Sequence, residues 1–287
     1  VQSKIALVTD TDASLPPALA QEYGIQLVPI TVQFNDEVLQ SGIDIDDKGL
    51  FERIEREGTL PTTAAPSPGD FAQAYKAAIR GGAEQVICFC VSSKVSATYE
   101  AALAARQLTP SVEVEVVDTK SLSMGQGFMV LEAAQTLAAG GNKDAAIQKA
   151  LDVGKRTHLF AALATLEYLA MSGRVGYLAA GMANILSIKP ILSIQDGSLE
   201  LLERVRTQKR AWQRILELVG ETGGDRPIEK MAFIHVAAQE QLADFRSMLC
   251  QHLECPPDVL EAELTPGLSV HAGAGVVGVA FVASETH

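Results

Sequence analysis

Apolar runs of strand length alternate with stretches of helical period along the first half of the chain. The runs at 4 to 9, 26 to 34, 84 to 91 and 112 to 117 are predicted strands. Helix-like stretches separate them, one opened by Ser14-Leu-Pro-Pro17 and another by Ser67-Pro-Gly-Asp70. Both place proline inside the first turn after a serine cap. Further helices are predicted over 125 to 139 and 143 to 156, parted by Gly140-Gly141-Asn142. This alternation predicts an α/β fold, a mostly parallel sheet covered by helices.

The pattern changes near Thr157. Leu159–Thr165 and Lys189–Gln195 have strand character, and Asp196-Gly197 is a hairpin signal leading into a strand over Ser198–Val205. Predicted helix over 208 to 219, strand over 229 to 236, helix over 239 to 252 and two closing strands follow. This mixture predicts a second, smaller α+β domain, with domain limits at 1–156 and 157–287.

With 287 residues, a formal net charge of −12 and a pI near 4.9, the chain is unsuited to nucleic acid or to anionic lipid surfaces. Small molecules or proteins are the expected partners. No apolar stretch reaches the roughly 18 to 20 residues of a membrane span. Val1–Lys4 runs directly into the first apolar run with no export signal in view, which predicts a cytoplasmic protein. Cys88 and Cys90 alternate on one predicted strand, while Cys250 and Cys255 lie near the end. Their spacing fits neither zinc nor a disulfide scaffold, so buried free thiols in a reducing compartment are expected. The five histidines show no metal spacing, and no metal or cofactor is expected.

Between the run ending at Cys90 and the next helix lies Val91-Ser92-Ser93-Lys94-Val-Ser96-Ala97-Thr98, with four hydroxyls in eight positions. A strand-to-helix turn of this kind suits an anion, because free N–H groups at a helix start attract negative charge and hydroxyls add donors. Helix capping alone accounts equally well for any single one of these residues. Leu60-Pro-Thr62-Thr63-Ala-Ala-Pro66-Ser67-Pro68 is either a binding loop or a connector. Gly273-Ala-Gly275-Val-Val-Gly278 has the letters of a dinucleotide fingerprint but lacks its βαβ context. Its glycines are expected to allow close backbone approach beside His271, in a sheet-edge setting. Asp10-Thr-Asp12 after an apolar strand opens a second possibility, a magnesium-dependent phosphatase with Asp10 as nucleophile and Asp44, Asp46 and Asp47 near the metal. Against it, the helix that follows leaves no room for a flap, and simple capping by Asp12 or Ser14 explains the same residues.

Taken in order, Val8-Thr-Asp10, Pro61-Thr62-Thr63-Ala-Ala-Pro66, Ser92-Ser93-Lys-Val-Ser96-Ala-Thr98-Tyr99 and Val117-Asp118-Thr-Lys-Ser121 resemble the DegV family of bacterial fatty-acid-binding proteins. Ser172-Gly-Arg174, Lys189-Pro-Ile191, Val205-Arg206-Thr207 and His271-Ala-Gly273-Ala-Gly275 continue the match, which covers nearly the whole chain. The resemblance implies a lipid carrier without chemistry of its own. A long-chain fatty acid would lie in a buried apolar tunnel and be presented to a separate ATP-dependent fatty acid kinase for acyl phosphate formation. Carried over by position, the carboxylate site falls on Thr63, Ser93, Ser96, Thr98, His271, Gly273 and Arg174, with Arg206 toward the partner or phosphate. Ala64, Ala97 and Ala274 stand where the family usually has Ser, Gly and Pro. Ala97 would cost about 1 kcal/mol if its position required positive φ.

Overall fold

The computed structural model describes residues 4–173, 188–224 and 226–285. Strand β1 (Ile5–Asp10) ends in a single 3-10 turn, Thr11–Ala13, followed by helix α1 (Pro17–Glu22) and strand β2 (Gln26–Val28). A hairpin of β3 (Thr31–Phe34) and β4 (Glu37–Gln40) precedes α2 (Asp47–Glu57), β5 (Thr62–Ala64) and α3 (Pro68–Arg80). Then come β6 (Gln85–Cys90), α4 (Thr98–Gln107), β7 (Glu113–Asp118), α5 (Ser123–Ala138) and α6 (Lys143–Arg156). The second half holds β8 (Thr157–Ala162), α7 (Glu167–Met171), β9 (Lys189–Gln195), β10 (Ser198–Val205) and α8 (Gln208–Gly223). It closes with β11 (Ile228–Val236), α9 (Gln239–Cys250), β12 (Leu260–Glu263), α10 (Pro266–Ala272) and β13 (Val276–Ala283).

These strands form three sheets. The first is wholly parallel, in the order β2-β1-β6-β7; the second has six strands, β10-β9-β8-β13-β11-β12; the third is the small antiparallel sheet β4-β3-β5. In the six-stranded sheet only the β11–β12 pair is parallel. The fold is thus α/β, a helix-covered parallel sheet joined to a second sheet with its own helices.

In the central strands β6 and β8, period-two alternation points residues to two apolar faces, both of them buried. In β6, Val86, Cys88 and Cys90 pack with Phe71 and Tyr75 of α3, while Ile87 and Phe89 face α5. In β8, Phe160 and Ala162 pack under α8 and α9, while Leu159 and Ala161 face the opposite way, toward the core that includes Met124 and Phe128 of α5. Helix α5 therefore lies between the two large sheets, and 13 of its 16 residues are buried. A helix with apolar residues all round has to be enclosed in this way.

The structure differs from the sequence expectations in four places and adds the helix α2, which they did not include. The run at 26 to 34 is two strands, because Pro29 has no N–H to donate and the chain leaves the parallel sheet after Val28 to enter the small one. Residues 47–57 form α2, capped by Asp46, whose Oδ1 accepts from Gly49 N at 2.8 Å. Ser14 opens no helix: it holds φ 49° at the end of the 3-10 turn, and α1 begins at Pro17. His271 lies on helix α10 instead of a sheet edge; Thr265-Pro266 starts this helix with proline in its first turn. Finally, Cys250 and Cys255 are joined in a disulfide, with Cα atoms 5.5 Å apart, and only Cys88 and Cys90 are free. The turn after α9 folds the chain back, which brings together two cysteines that spacing alone had left apart. Asp196-Gly197 makes the expected hairpin, with φ of 48° and 83° and Gln195 paired to Ser198.

Candidate functional site

The inner face of the six-stranded sheet does not meet the rest of the protein everywhere. Leu159, Ala161 and Leu163 from β8 and its extension, Leu192 from β9, Ile234 from β11 and Val276 from β13 form the apolar wall of a cavity of about 920 Å³. That volume is near the top of the ~300–1,000 Å³ range of small-molecule sites. Thr63, Ser96 and His271 line the same cavity.

Each of these three is placed by a different element. Thr63 is the middle residue of β5 and pairs with Val32 of β3. Ser96 lies in the turn after β6, and His271 in the last turn of α10. Thr63 Oγ1 and His271 Nε2 share a hydrogen bond of 2.8 Å across 208 residues of sequence. Ser96 Oγ shares another with Thr98 Oγ1, also 2.8 Å, and Thr98 is fully buried. Exposed Lys94, Ala97 and Ala64 also line the cavity, so its polar wall reaches the surface.

The turn at 91 to 98 is held by its neighbours. Val91 N donates to Asp10 Oδ2 at 2.8 Å, Ser92 N to the Ser121 carbonyl at 2.8 Å, and Ser92 Oγ to the Gly197 carbonyl at 2.7 Å. The hairpin tip of the second half thus braces the turn of the first. Ser93 is not turned into the cavity: its Oγ donates to Asp118 Oδ2 at 2.6 Å and its N to Asp118 Oδ1 at 3.2 Å. Ala97 has φ of −81°, a conformation any residue adopts, so its substitution for glycine carries no strain.

The remaining sequence candidates fall elsewhere. Thr98 and Gly273 are outside the lining; Gly273 has φ of 79°, and a Cβ there would stand 2.4 Å from Tyr168 Cδ2, so it is required for packing. Arg206 is exposed beyond the end of β10, and Arg174 lies outside the described residues. Two buried polar lining residues were not among the sequence candidates for this site, Asp12 and Ser123. Their only signals in the sequence were an acid directly after an apolar strand and a serine at the start of an otherwise apolar helix.

Asp10 ends β1 and is wholly buried. Its Oδ1 accepts from Asp12 N and its Oδ2 from Val91 N and Gln126 Nε2, so its oxygens tie β1, the hydroxyl turn and α5 together. Desolvation raises its pKa in spite of these donors. A carboxylate so engaged is a structural acceptor and is not presented as a nucleophile. Asp44 accepts from Gln40 N, Asp46 caps α2 and Asp47 accepts from Ser269 Oγ of α10, so each is engaged separately. Among the described residues no group of three or more His, Cys, Asp or Glu is placed to hold a metal ion. Among the same residues no helix is long and apolar enough to cross a membrane.

The family described as uncharacterised protein, DegV family, matches residues 4–284. A DegV domain-containing protein of Streptomyces coelicolor is 33% identical over 275 residues, covering 96% of this chain and 97% of the relative. Among solved structures, one described as fatty acid binding of a DegV family protein from Thermus thermophilus is 31% identical with a TM-score of 0.89, covering 98% of this chain and 99% of that one. Another, described as DegV, a fatty acid binding protein from Bacillus subtilis, is 26% identical with a TM-score of 0.87, covering 98% and 100%.

Proposed function

The chain belongs to the DegV family, and from that premise we propose that it is a carrier for one long-chain fatty acid. The acyl tail occupies the apolar cavity against the six-stranded sheet, and the carboxylate rests on Thr63 and Ser96. The observation that carries this reading is the Thr63–His271 hydrogen bond on the wall of a cavity lined mainly by apolar side chains. His271 Nε2–H donates to Thr63 Oγ1 and so turns the threonine hydroxyl outward, where it donates to the carboxylate. Ser96, supported by buried Thr98, supplies the second donor. Ser93 and Asp118 brace the turn, Gly273 sets the end of α10, and exposed Arg206 is assigned to contact with the partner or its phosphate.

The tail supplies the gross affinity. At roughly 0.8 kcal/mol per buried methylene, a tail of about 15 contributes roughly 12 kcal/mol before association and ordering costs of ~4–15 kcal/mol are subtracted. Hydroxyls then fix the head group without adding a buried countercharge.

The exposed lining at Ala64, Lys94 and Ala97 supports presentation of the carboxylate to a separate ATP-dependent kinase. In that step a carboxylate oxygen attacks the γ-phosphorus of ATP held by the kinase, an acyl phosphate forms and ADP leaves. This chain supplies no catalytic group. A cytoplasmic setting follows from the partner's need for ATP; the cysteines no longer argue for it, since one pair is oxidised.

Mass spectrometry of extracts from the denatured, purified protein tests the carrier reading. A bound C16 or C18 acid is expected, and added palmitate or oleate should raise the Tm of lipid-stripped protein. Absence of any fatty acid together with an unmoved Tm would overturn it.

A further inference from the structure

Three sulfur atoms meet on the outer face of the six-stranded sheet. Cys250, the last residue of α9, is bonded to Cys255, and Cys255 Sγ stands 3.6 Å from Met231 Sδ of β11. Met231 and Phe233 share the strand face that packs under α8 and α9, whereas Ile234 lines the cavity, so period two puts this cluster on the side of the sheet away from the cavity. Met231 is fully buried, and both cysteines are half-buried at the edge of the same apolar cluster. The third sulfur lies 24 residues from Cys255 along the chain, so cysteine spacing alone carries no sign of it.

The chain holds the two cysteines together without help from their bond. After α9, His252 N and Leu253 N both donate to the Leu249 carbonyl, at 3.0 and 2.9 Å, which closes the turn. Pro256 and Pro257 follow, and a residue before proline is restricted to extended backbone, so Cys255 has little freedom to swing away. In a reducing compartment a half-buried disulfide of this kind opens to two thiols. The reductant is a dithiol. One of its thiolates attacks a cystine sulfur and its second thiol resolves the mixed disulfide, so that it leaves as a disulfide while Cys250 and Cys255 each carry a thiol.

We propose that the reduced pair and Met231 form a three-sulfur site for a copper(I) ion. Two thiolates and a thioether are all soft donors, a set that suits Cu(I), whereas a thioether is not among the usual ligands of zinc. Sulfurs each about 2.3 Å from one ion at trigonal or tetrahedral angles stand roughly 3.8–4.0 Å apart, close to the 3.6 Å between Cys255 and Met231. Binding releases both thiol protons and leaves the copper in its +1 state, so no electron changes hands in that step. Phe233, Phe245 and Leu249 in the adjoining cluster keep water from the inner side of the ion. The site does not depend on what fills the cavity.

Anaerobic titration of the full chain with Cu(I), after treatment with dithiothreitol and its removal, tests the proposal against the competing chelator bicinchoninate. The reduced protein should hold one copper per chain, seen as thiolate-to-copper charge transfer in the ultraviolet, and the oxidised protein none. Cys250→Ser should lower the affinity at least about a hundredfold and Met231→Leu about tenfold, with Cys88 and Cys90 present in both. Met231→Leu nearly conserves core volume, and Cys255→Ser replaces Cys250→Ser if the latter does not fold. Copper held equally well by the cysteine variant would place it elsewhere and overturns the site, as does an unchanged affinity in Met231→Leu. Displacement of the copper by equimolar Zn(II), or a disulfide that dithiothreitol leaves closed in the folded protein, overturns it too.

Discussion

Replacing Thr63 by valine removes one hydroxyl and keeps the β-branched outline that β5 presents opposite Val32. The small sheet should therefore form as before. What is lost is a donor to an ionised carboxylate and the hydroxyl partner in the 2.8 Å contact with His271. Hydrogen bonds to charged groups contribute ~1.5–3 kcal/mol, and Thr63 is only half-buried, which favours the lower end, about 1.5 kcal/mol or roughly tenfold in Kd. Ser93→Ala has a different expected outcome, although the two hydroxyls looked equivalent in the sequence. Its hydroxyl donates to Asp118, not into the cavity, and Asp118 Oδ1 would keep the N–H groups of Ser93 and Lys120. Stability should fall by about 1 kcal/mol while Kd moves less than about twofold. Calorimetric titration of lipid-stripped protein with palmitate gives the affinities, and urea midpoints give the stabilities. If Ser93→Ala weakened binding as much as Thr63→Val, the Ser93–Asp118 pairing would not persist in the bound state and the assignment of the head-group donors would be wrong. Unchanged affinity in Thr63→Val would remove Thr63 from the site.

Three further outcomes are expected. His271→Ala should reduce acyl phosphate formation with a kinase partner by a larger factor than it reduces fatty-acid affinity, because the imidazole orients Thr63 instead of holding the tail; equal losses in the two assays would make it a simple ligand contact. Asp47 is raised by burial from 3.8 to about 7 in spite of the Ser269 hydroxyl that donates to it, with Glu263 and Asp46 adding to the rise. The folded state therefore keeps a proton that the unfolded state has released, and stability falls as pH rises from about 4 to about 7. Asp47→Asn should flatten that part of the urea-midpoint profile, whereas a uniform offset would assign the slope to other groups. Gly273→Ala places a Cβ against Tyr168 at φ 79° and should cost about 1–3 kcal/mol, read as a drop of several degrees in Tm; an unchanged Tm would show that the chain end of α10 can yield.

Much of the architecture was legible because its signals are local. Strand runs such as Gln85–Cys90, the Asp196-Gly197 hairpin and the capped start at Ser67 each depend on residues within a few positions of one another. Local signals also misled. Pro29 split one apolar run between two sheets, and the Thr265-Pro266 helix start was obscured by the glycines that follow it. In the hydroxyl turn, sequence singled out eight residues, part of which line the cavity, without showing which way each hydroxyl points. Ser93 turns to Asp118 and Ser92 to the Gly197 carbonyl, leaving Ser96 on the cavity. That choice depends on β7 and on a hairpin 105 residues away.

The sequence by itself determined most of the element types and the parallel sheet, since periodicity and turn chemistry are properties of short stretches. Tertiary structure alone decided that Thr63 and His271 meet, that Cys250 and Cys255 pair, and that Asp12 and Ser123 share one cavity wall. A cavity exists only where packed elements fail to fill the space between them, and no stretch of chain encodes that shortfall alone. It is set by how the inner face of the six-stranded sheet, α5 and α10 come together.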